Sequence, residues 1–170
     1  PKILRQHHFQ TAIVGKWHLK SMPSGFDYWK ILPDQGDYYH PDFITPNGPV
    51  IEQGYTIDII TNLAIEFMDS LRSGDKPFML MVHHKAPHRE WWPSMENLHA
   101  FKNNEIPEPA TLFDDYRNRG TAAKEAEMRI SNHMSLTMDN KIDPAIVERL
   151  NLQEFLSWYA GNYKKQYDRL

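Results

Sequence analysis

The sequence predicts an α/β fold with a mostly parallel sheet flanked by helices, and three observations carry that prediction. Thr11-Ala12-Ile13-Val14-Gly15 is a short β-branched run closed by glycine, the pattern of a buried strand. Phe78-Met79-Leu80-Met81-Val82 is a continuous apolar run, which reads as a fully buried parallel strand. Between them, Tyr55 to Arg72 carries Ile57, Ile60, Ala64, Phe67, Met68 and Leu71 at three- and four-residue steps, giving one apolar helical stripe. A helix followed by such a strand, twice over, is the grammar of α/β proteins.

The elements follow in order. Residues 2–9 read as the end of a helix, and Thr11 to Gly15 as the first strand. Residues 33–54 are dense in Pro, Gly, Asp, Asn and Tyr and form a long loop. Within it Pro46-Asn47-Gly48 separates Asp42-Phe43-Ile44 from Val50-Ile51, a small hairpin with an Asn-Gly turn. Gly74 and Pro77 end the long helix. Ser94 can cap a short helix through Phe101, Pro107-Glu108-Pro109 breaks the chain, and Thr121 to Leu136 is expected to be helical. Asp143-Pro144 is a cap followed by a first-turn proline. Asn151 to Leu170, with Leu152, Phe155, Leu156, Tyr159 and Tyr163 on one face, completes a helical C-terminal third. The organisation expected is one partial domain over 1–170: an α/β core over 1–93, with the loop and hairpin 33–54, and a helical and loop insert over 94–170.

Composition narrows the function classes. The 170 residues are 41% hydrophobic and 24% charged, with a formal charge of −3 that does not segregate between the halves. A large basic nucleic-acid footprint is therefore not expected. No apolar run approaches the roughly 18 residues of a membrane helix. Without cysteine there is no disulfide, thiolate metal site or cysteine nucleophile. Twelve prolines and nine histidines point to shaped loops around a polar site.

Two clusters could carry chemistry. Gly15-Lys16-Trp17-His18-Leu19 follows the first strand directly. Residues two apart in extended chain point to one side, so Lys16 and His18 project together while Trp17 turns into the body of the domain. A cation beside an imidazole at a strand's carboxyl end suits an oxyanion site. The plainer reading is a surface lysine and a histidine bonded to backbone. The second strand ends in His83-His84-Lys85-Ala86-Pro87-His88-Arg89, a strongly cationic rim held by Pro87, which biases Ala86 towards extended backbone. Such a rim favours an anionic substrate, and one imidazole could donate a proton to a leaving group. Against this, His83 could be a satisfied core histidine. A zinc site of His83, His84 and His88 is weaker still, because no carboxylate stands at helical spacing beside them. Trp91 and Trp92 are either core anchors or a stacking wall for a sugar ring.

Thr11 to Leu19, T-A-I-V-G-K-W-H-L, resembles the second signature of the type I, formylglycine-dependent sulfatases of the alkaline-phosphatase-like superfamily. Pro23-Ser24-Gly25-Phe26-Asp27-Tyr28-Trp29, the Asp37-Tyr38-Tyr39 loop, the hairpin, the long helix and Pro77 to Trp92 occur in the family's order. Within the family the chain looks most like N-acetylglucosamine-6-sulfatases. The resemblance implies an alkaline-phosphatase-like sandwich and a sulfuric ester hydrolase acting on a sulfated carbohydrate. Catalytic roles are implied for Lys16, which would contact sulfate oxygens and nucleophile, for His18, which would take the formylglycine proton, and for His88, which would protonate the leaving alkoxide. Lys85, Arg89 and Trp91 are expected on substrate. The family's bacterial members are mostly exported, so a periplasmic or extracellular location is implied.

The family's C/S-x-P-x-R nucleophile motif, paired aspartates and D-N-G calcium segment have no counterparts here. Ser21-Met22-Pro23-Ser24-Gly25 imitates the nucleophile motif but has Gly25 where arginine is required. The expectation is an internal stretch of a sulfatase: calcium and formylglycine belong to the full-length parent, and this chain holds no metal ligands. Alone it should neither turn over sulfate esters nor bind calcium tightly. Two alternatives stand beside this reading, a phosphonate or phosphodiester hydrolase of the same superfamily and a non-catalytic anion- or glycan-binding module.

Overall fold

The computed structural model describes residues 1–71, 74–89, 91–101, 103–129, 133–139, 144–149, 151, 153–154 and 157–161. The chain divides into two compact units, Pro1–His88 and Arg89–Arg169.

The first unit is α/β. After the short helix α1 (Lys2–Gln6), strand β1 (Gln10–Trp17) runs at the centre of a five-stranded sheet ordered β4-β3-β2-β1-β5. β2 (Tyr28–Pro33) and β5 (Phe78–His83) flank β1, both parallel to it, with Ala12 opposite Tyr28 and Gly15 opposite His83. β3 (Asp42–Thr45) and β4 (Gly48–Ile51) form the expected antiparallel hairpin, and β3 extends the sheet beyond β2. Lys30 on β2 pairs with Glu52 after β4, and its ammonium lies 5.4 Å from the Phe43 ring centroid, which ties the hairpin to the sheet.

Helix α2 (Thr56–Ser70) packs on the sheet through Ile60 and Ala64, and these join Val14, Leu32 and Phe43 in one buried cluster. Truncating a side chain as large as Phe43 in such a core costs about 3–5 kcal/mol. No side-chain cap closes the helix's amino end. Instead, the Thr56 amide donates to the Tyr38 carbonyl at 2.8 Å and its hydroxyl to the Asp37 carbonyl at 2.5 Å, so α2 begins fastened to the loop after β2. Asp58 in the first turn suits the positive end of the helix dipole.

At the other end of β1, Asp27 clamps the start of β2. The Thr11 amide donates to Asp27 Oδ2 at 2.9 Å, the Thr11 hydroxyl lies 3.0 Å from the same oxygen, and Arg5 Nε is 2.8 Å from Oδ1. Burial alone would push the Asp27 carboxyl up; the Thr11 bonds and the Arg5 charge outweigh it and hold the group below the ordinary carboxylate range.

Four features depart from the expectations. β1 continues to Trp17, so Lys16 lies inside the strand and not after it. β2 was not anticipated at all. β5 is an edge strand, with Phe78 45% and Val82 38% exposed, and is not buried on both faces. An unbroken apolar run does not reveal whether a strand has a neighbour on each side. The helical C-terminal third is not supported by the described residues. Residues 95–101 form turns, the helix beginning at Thr121 (α3, Thr121–Glu125) stops where Ala126 turns extended, and α4 (Leu136–Asp139) and α5 (Pro144–Arg149) are single turns or little more. Met128 is 86% exposed, as expected where no amphipathic stripe drives packing. Arg72, Asp143 and much of the helix expected over 151–170, including Leu152, Phe155, Leu156 and Tyr163, lie outside the described residues; 157–161 are helical.

Candidate functional site

The candidate site is built at the carboxyl ends of three parallel strands. β2 closes with Pro33, and a tight turn follows in which the Gly36 amide donates to the Pro33 carbonyl at 3.0 Å. Asp34 and Gly36 both take positive φ, at 48° and 64°, and Gln35 stands between them. This turn delivers Gln35 to β1. Lys16 Nζ donates to Gln35 Oε1 at 2.5 Å, and Gln35 Nε2 lies 3.2 Å from His18 Nδ1. His18 Nε2 in turn lies 3.0 Å from Asp34 Oδ1. Lys16 and His18 therefore project to one side, as their spacing suggested, and share one amide.

Trp17 does not turn into the core. It is half-buried, donates from Nε1 to the Ser21 carbonyl at 2.7 Å, meets Phe26 edge to face, and lines an open cavity of about 820 Å³ with Lys16, His18, Met81, His83 and His84. His83 Nδ1 lies 3.2 Å from the Lys16 carbonyl, so its ring serves the junction of β1 and β5.

Lys85, expected on substrate, is 7% exposed. Its ammonium sits 4.8 Å from the Tyr38 ring centroid and 3.3 Å from the Gln35 carbonyl. Tyr38 also donates from its hydroxyl to the His88 carbonyl at 2.7 Å, and the Ala86–Pro87 bond in this turn is cis. The loops after β2 and β5 are thus laced together over the end of β1. His88 is exposed, and it is not among the described residues lining the cavity of Lys16 and His18. Tyr38 and Tyr39 pack against Tyr55, at 6.2 and 5.1 Å between centroids; burial, then Tyr38, Tyr39 and Asp58, push the Tyr55 hydroxyl up to about 12.

Arg89 and Trp91 belong to the second unit. Arg89 Nη1 lies 3.0 Å from Asp139 Oδ1, and Trp91 is 40% exposed. Gln35, Asp34 and Tyr38 are the residues that sequence reasoning missed. Pro33-Asp34-Gln35-Gly36 is a recognisable turn pattern, and it would have marked a third strand end had Tyr28 to Leu32 been read as a strand.

Among the described residues, no three His, Cys, Asp or Glu side chains gather as metal ligands would. Ser21-Met22-Pro23-Ser24-Gly25 lacks the arginine of a formylglycine motif.

A cation and an imidazole thus lie together at the carboxyl end of a parallel strand in an α/β unit, beside the histidine-rich end of a second strand. Comparison supplies the class. Residues 1–147 match the sulfatase family model, and the chain belongs to the sulfatase family. It is 50% identical over 145 residues to the N-acetylglucosamine-6-O-sulfatase of Bacteroides thetaiotaomicron, covering 84% of this chain and 26% of that protein. It is 25% identical over 140 residues to the ulvan-active sulfatase of Formosa agariphila, covering 75% of this chain and 27% of that protein. Among solved structures, a protein in complex with its substrate D-glucosamine-2-N,6-O-disulfate superposes with a TM-score of 0.71 at 46% identity, covering 92% of this chain and 31% of that one. The chain thus spans about a quarter to a third of the length of these relatives. Among the described residues no helix is long and apolar enough to cross a membrane.

Proposed function

We propose that the protein is a sulfuric ester hydrolase that removes sulfate from a sulfated carbohydrate, with 6-O-sulfated N-acetylglucosamine as the leading substrate. The observation that carries this reading is the convergence of Lys16 and His18 on Gln35 at the end of β1, in a chain half identical to an N-acetylglucosamine-6-O-sulfatase.

Each residue has a definite task in this reading. The Lys16 ammonium offsets negative charge on the sulfate oxygens as the ester bond breaks. His18 presents an imidazole on the same side, able to hold or move a proton. His88, on the rim after β5, gives its proton to the sugar oxygen as the S–O bond to that oxygen breaks, so that the carbohydrate leaves as an alcohol. Arg89 and Trp91 are proposed as carbohydrate contacts, and alanine at either should raise KM. Calcium and formylglycine would be supplied by parts of the protein other than the residues described. A periplasmic or extracellular location follows the habit of the family.

The test is sulfate release by the whole protein from N-acetylglucosamine-6-sulfate and from D-glucosamine-2-N,6-O-disulfate, with a phosphonate monoester as the competing substrate. Turnover of the sulfated sugars is expected. Preference for the phosphonate would overturn the assignment. The 170-residue chain alone should release no sulfate.

A further inference from the structure

We infer that Gln35 is a positioning residue that fixes His18 as its Nε2–H tautomer, through a one-way line of hydrogen bonds running from Lys16 to Asp34. The polarity of the line is set at both ends. A lysine ammonium only donates and an ionised carboxylate only accepts. Lys16 Nζ, 2.5 Å from the Gln35 side chain, must face the amide oxygen, which turns the amide NH2 towards His18. That NH2 only donates, so His18 Nδ1, 3.2 Å away, must carry its lone pair. The proton of the neutral ring is then on Nε2, and that nitrogen lies 3.0 Å from Asp34 Oδ1, an acceptor. Reversing the amide would set NH2 against ammonium and break the line at its first link.

The neighbouring histidine is held the opposite way. His83 Nδ1 lies 3.2 Å from the Lys16 carbonyl, an acceptor, so this ring carries hydrogen on Nδ1. Two imidazoles on either side of Lys16 thus have their protons on different nitrogens, each chosen by its partner. In sulfate-ester cleavage, on the function proposed above, Gln35 decides which nitrogen of His18 can give a proton and which must receive one. The tautomer itself stands on geometry and does not depend on the substrate.

The experiment is a long-range ¹H–¹⁵N correlation spectrum of the ¹⁵N-labelled protein, followed to alkaline pH until each ring is read in its neutral form, where the protonated and unprotonated nitrogens are told apart. His18 and His83 are assigned from the signals lost in His18→Asn and His83→Asn. His18 should show an unprotonated Nδ1 and a protonated Nε2, and His83 the reverse. A protonated Nδ1 on His18, or an even mixture of tautomers, overturns the inference. Gln35→Leu should release His18 into a mixture, and an unchanged His18 pattern in a folded Gln35→Leu protein overturns it as well. Gln35→Glu puts an acceptor against Nδ1, between Lys16 and the ring, with Asp34 on the far side and His83 and His84 in the shared cavity. In that variant Nδ1 of His18 should carry a proton, and an Nδ1 that stays unprotonated as in the wild type overturns the inference. If either variant fails to fold, the wild-type spectrum decides alone. A protein with the expected tautomers but no sulfate release would sink the hydrolase reading and leave this inference standing.

Discussion

A β-carbon on Gly15 would lie 2.0 Å from the carbonyl oxygen of His83, and Gly15 holds φ at +99°. β1 and β5 therefore come together at this register only because the residue before Lys16 has no side chain. Gly15→Ala combines backbone strain with overpacking and should destabilise the protein by about 2–6 kcal/mol. Thermal melting of the variant checks this, and an unchanged midpoint would contradict the close approach.

Lys16 is half-buried and His18 exposed, and neither belongs to the apolar core. Alanine at either should leave the melting temperature nearly unchanged while lowering kcat for sulfate release by about 10²–10³-fold. His88→Ala should cost about 10²–10⁴-fold, most with a poor leaving group and least with a good one, because a general acid matters only when the departing oxygen is basic. Full activity in any of these variants removes that residue from the mechanism.

Lys85 divides the structural role from the expected contact with substrate. Its ammonium is engaged by the Tyr38 ring and the Gln35 carbonyl. Lys85→Met should therefore destabilise by about 1–3 kcal/mol. In a chain of this size that is about 2–4 °C of melting temperature per kcal/mol. A raised KM with an unshifted melting temperature would return Lys85 to the substrate.

Asp27 and Tyr55 should contribute to the pH dependence of stability with opposite signs. Asp27 titrates below its ordinary value of 3.8 in the folded protein, so its contribution is present above that value and is lost as pH falls through the lowered one. Tyr55 is raised from 10.0 to about 12, so above pH 10 the unfolded chain releases a proton that the folded one keeps, and stability falls until about pH 12. Melting temperature against pH should flatten on its acid limb in Asp27→Asn and on its alkaline limb in Tyr55→Phe.

Those elements that announce themselves by periodicity were legible in the sequence. The stripe through Ile60 and Ala64 became α2, the Asn47-Gly48 turn became the β3–β4 hairpin, and the apolar runs ending at Gly15 and Val82 became adjacent parallel strands. β2 was not legible, because Lys30 interrupts its aromatic and aliphatic residues, and only the structure shows that charge answered by Glu52. The two-residue spacing of Lys16 and His18 predicted a shared side. Gln35 could not be found that way, since an amide in a loop has meaning only once its two partners are placed. The seat of Lys85 was hidden for a related reason: charge pattern alone does not tell a cation aimed at solvent from one seated on Tyr38. The helix expected from Thr121 to Leu136 stops at Glu125 because its few apolar residues make no continuous stripe, whereas the stripe expected over 151–170 falls mostly outside the described residues.

Thr56 joins two parts of the protein that are usually separate. The first turn of α2, whose Ile60 anchors the hydrocarbon interior, is bonded through Thr56 to Asp37 and Tyr38, two and three residues from Gln35. The turn that grips Lys16 and His18 is consequently rooted in the buried cluster around Ile60. Amide hydrogens there should exchange at the pace of the core, and warming should dissolve the strand ends around Gln35 and the interior in a single step.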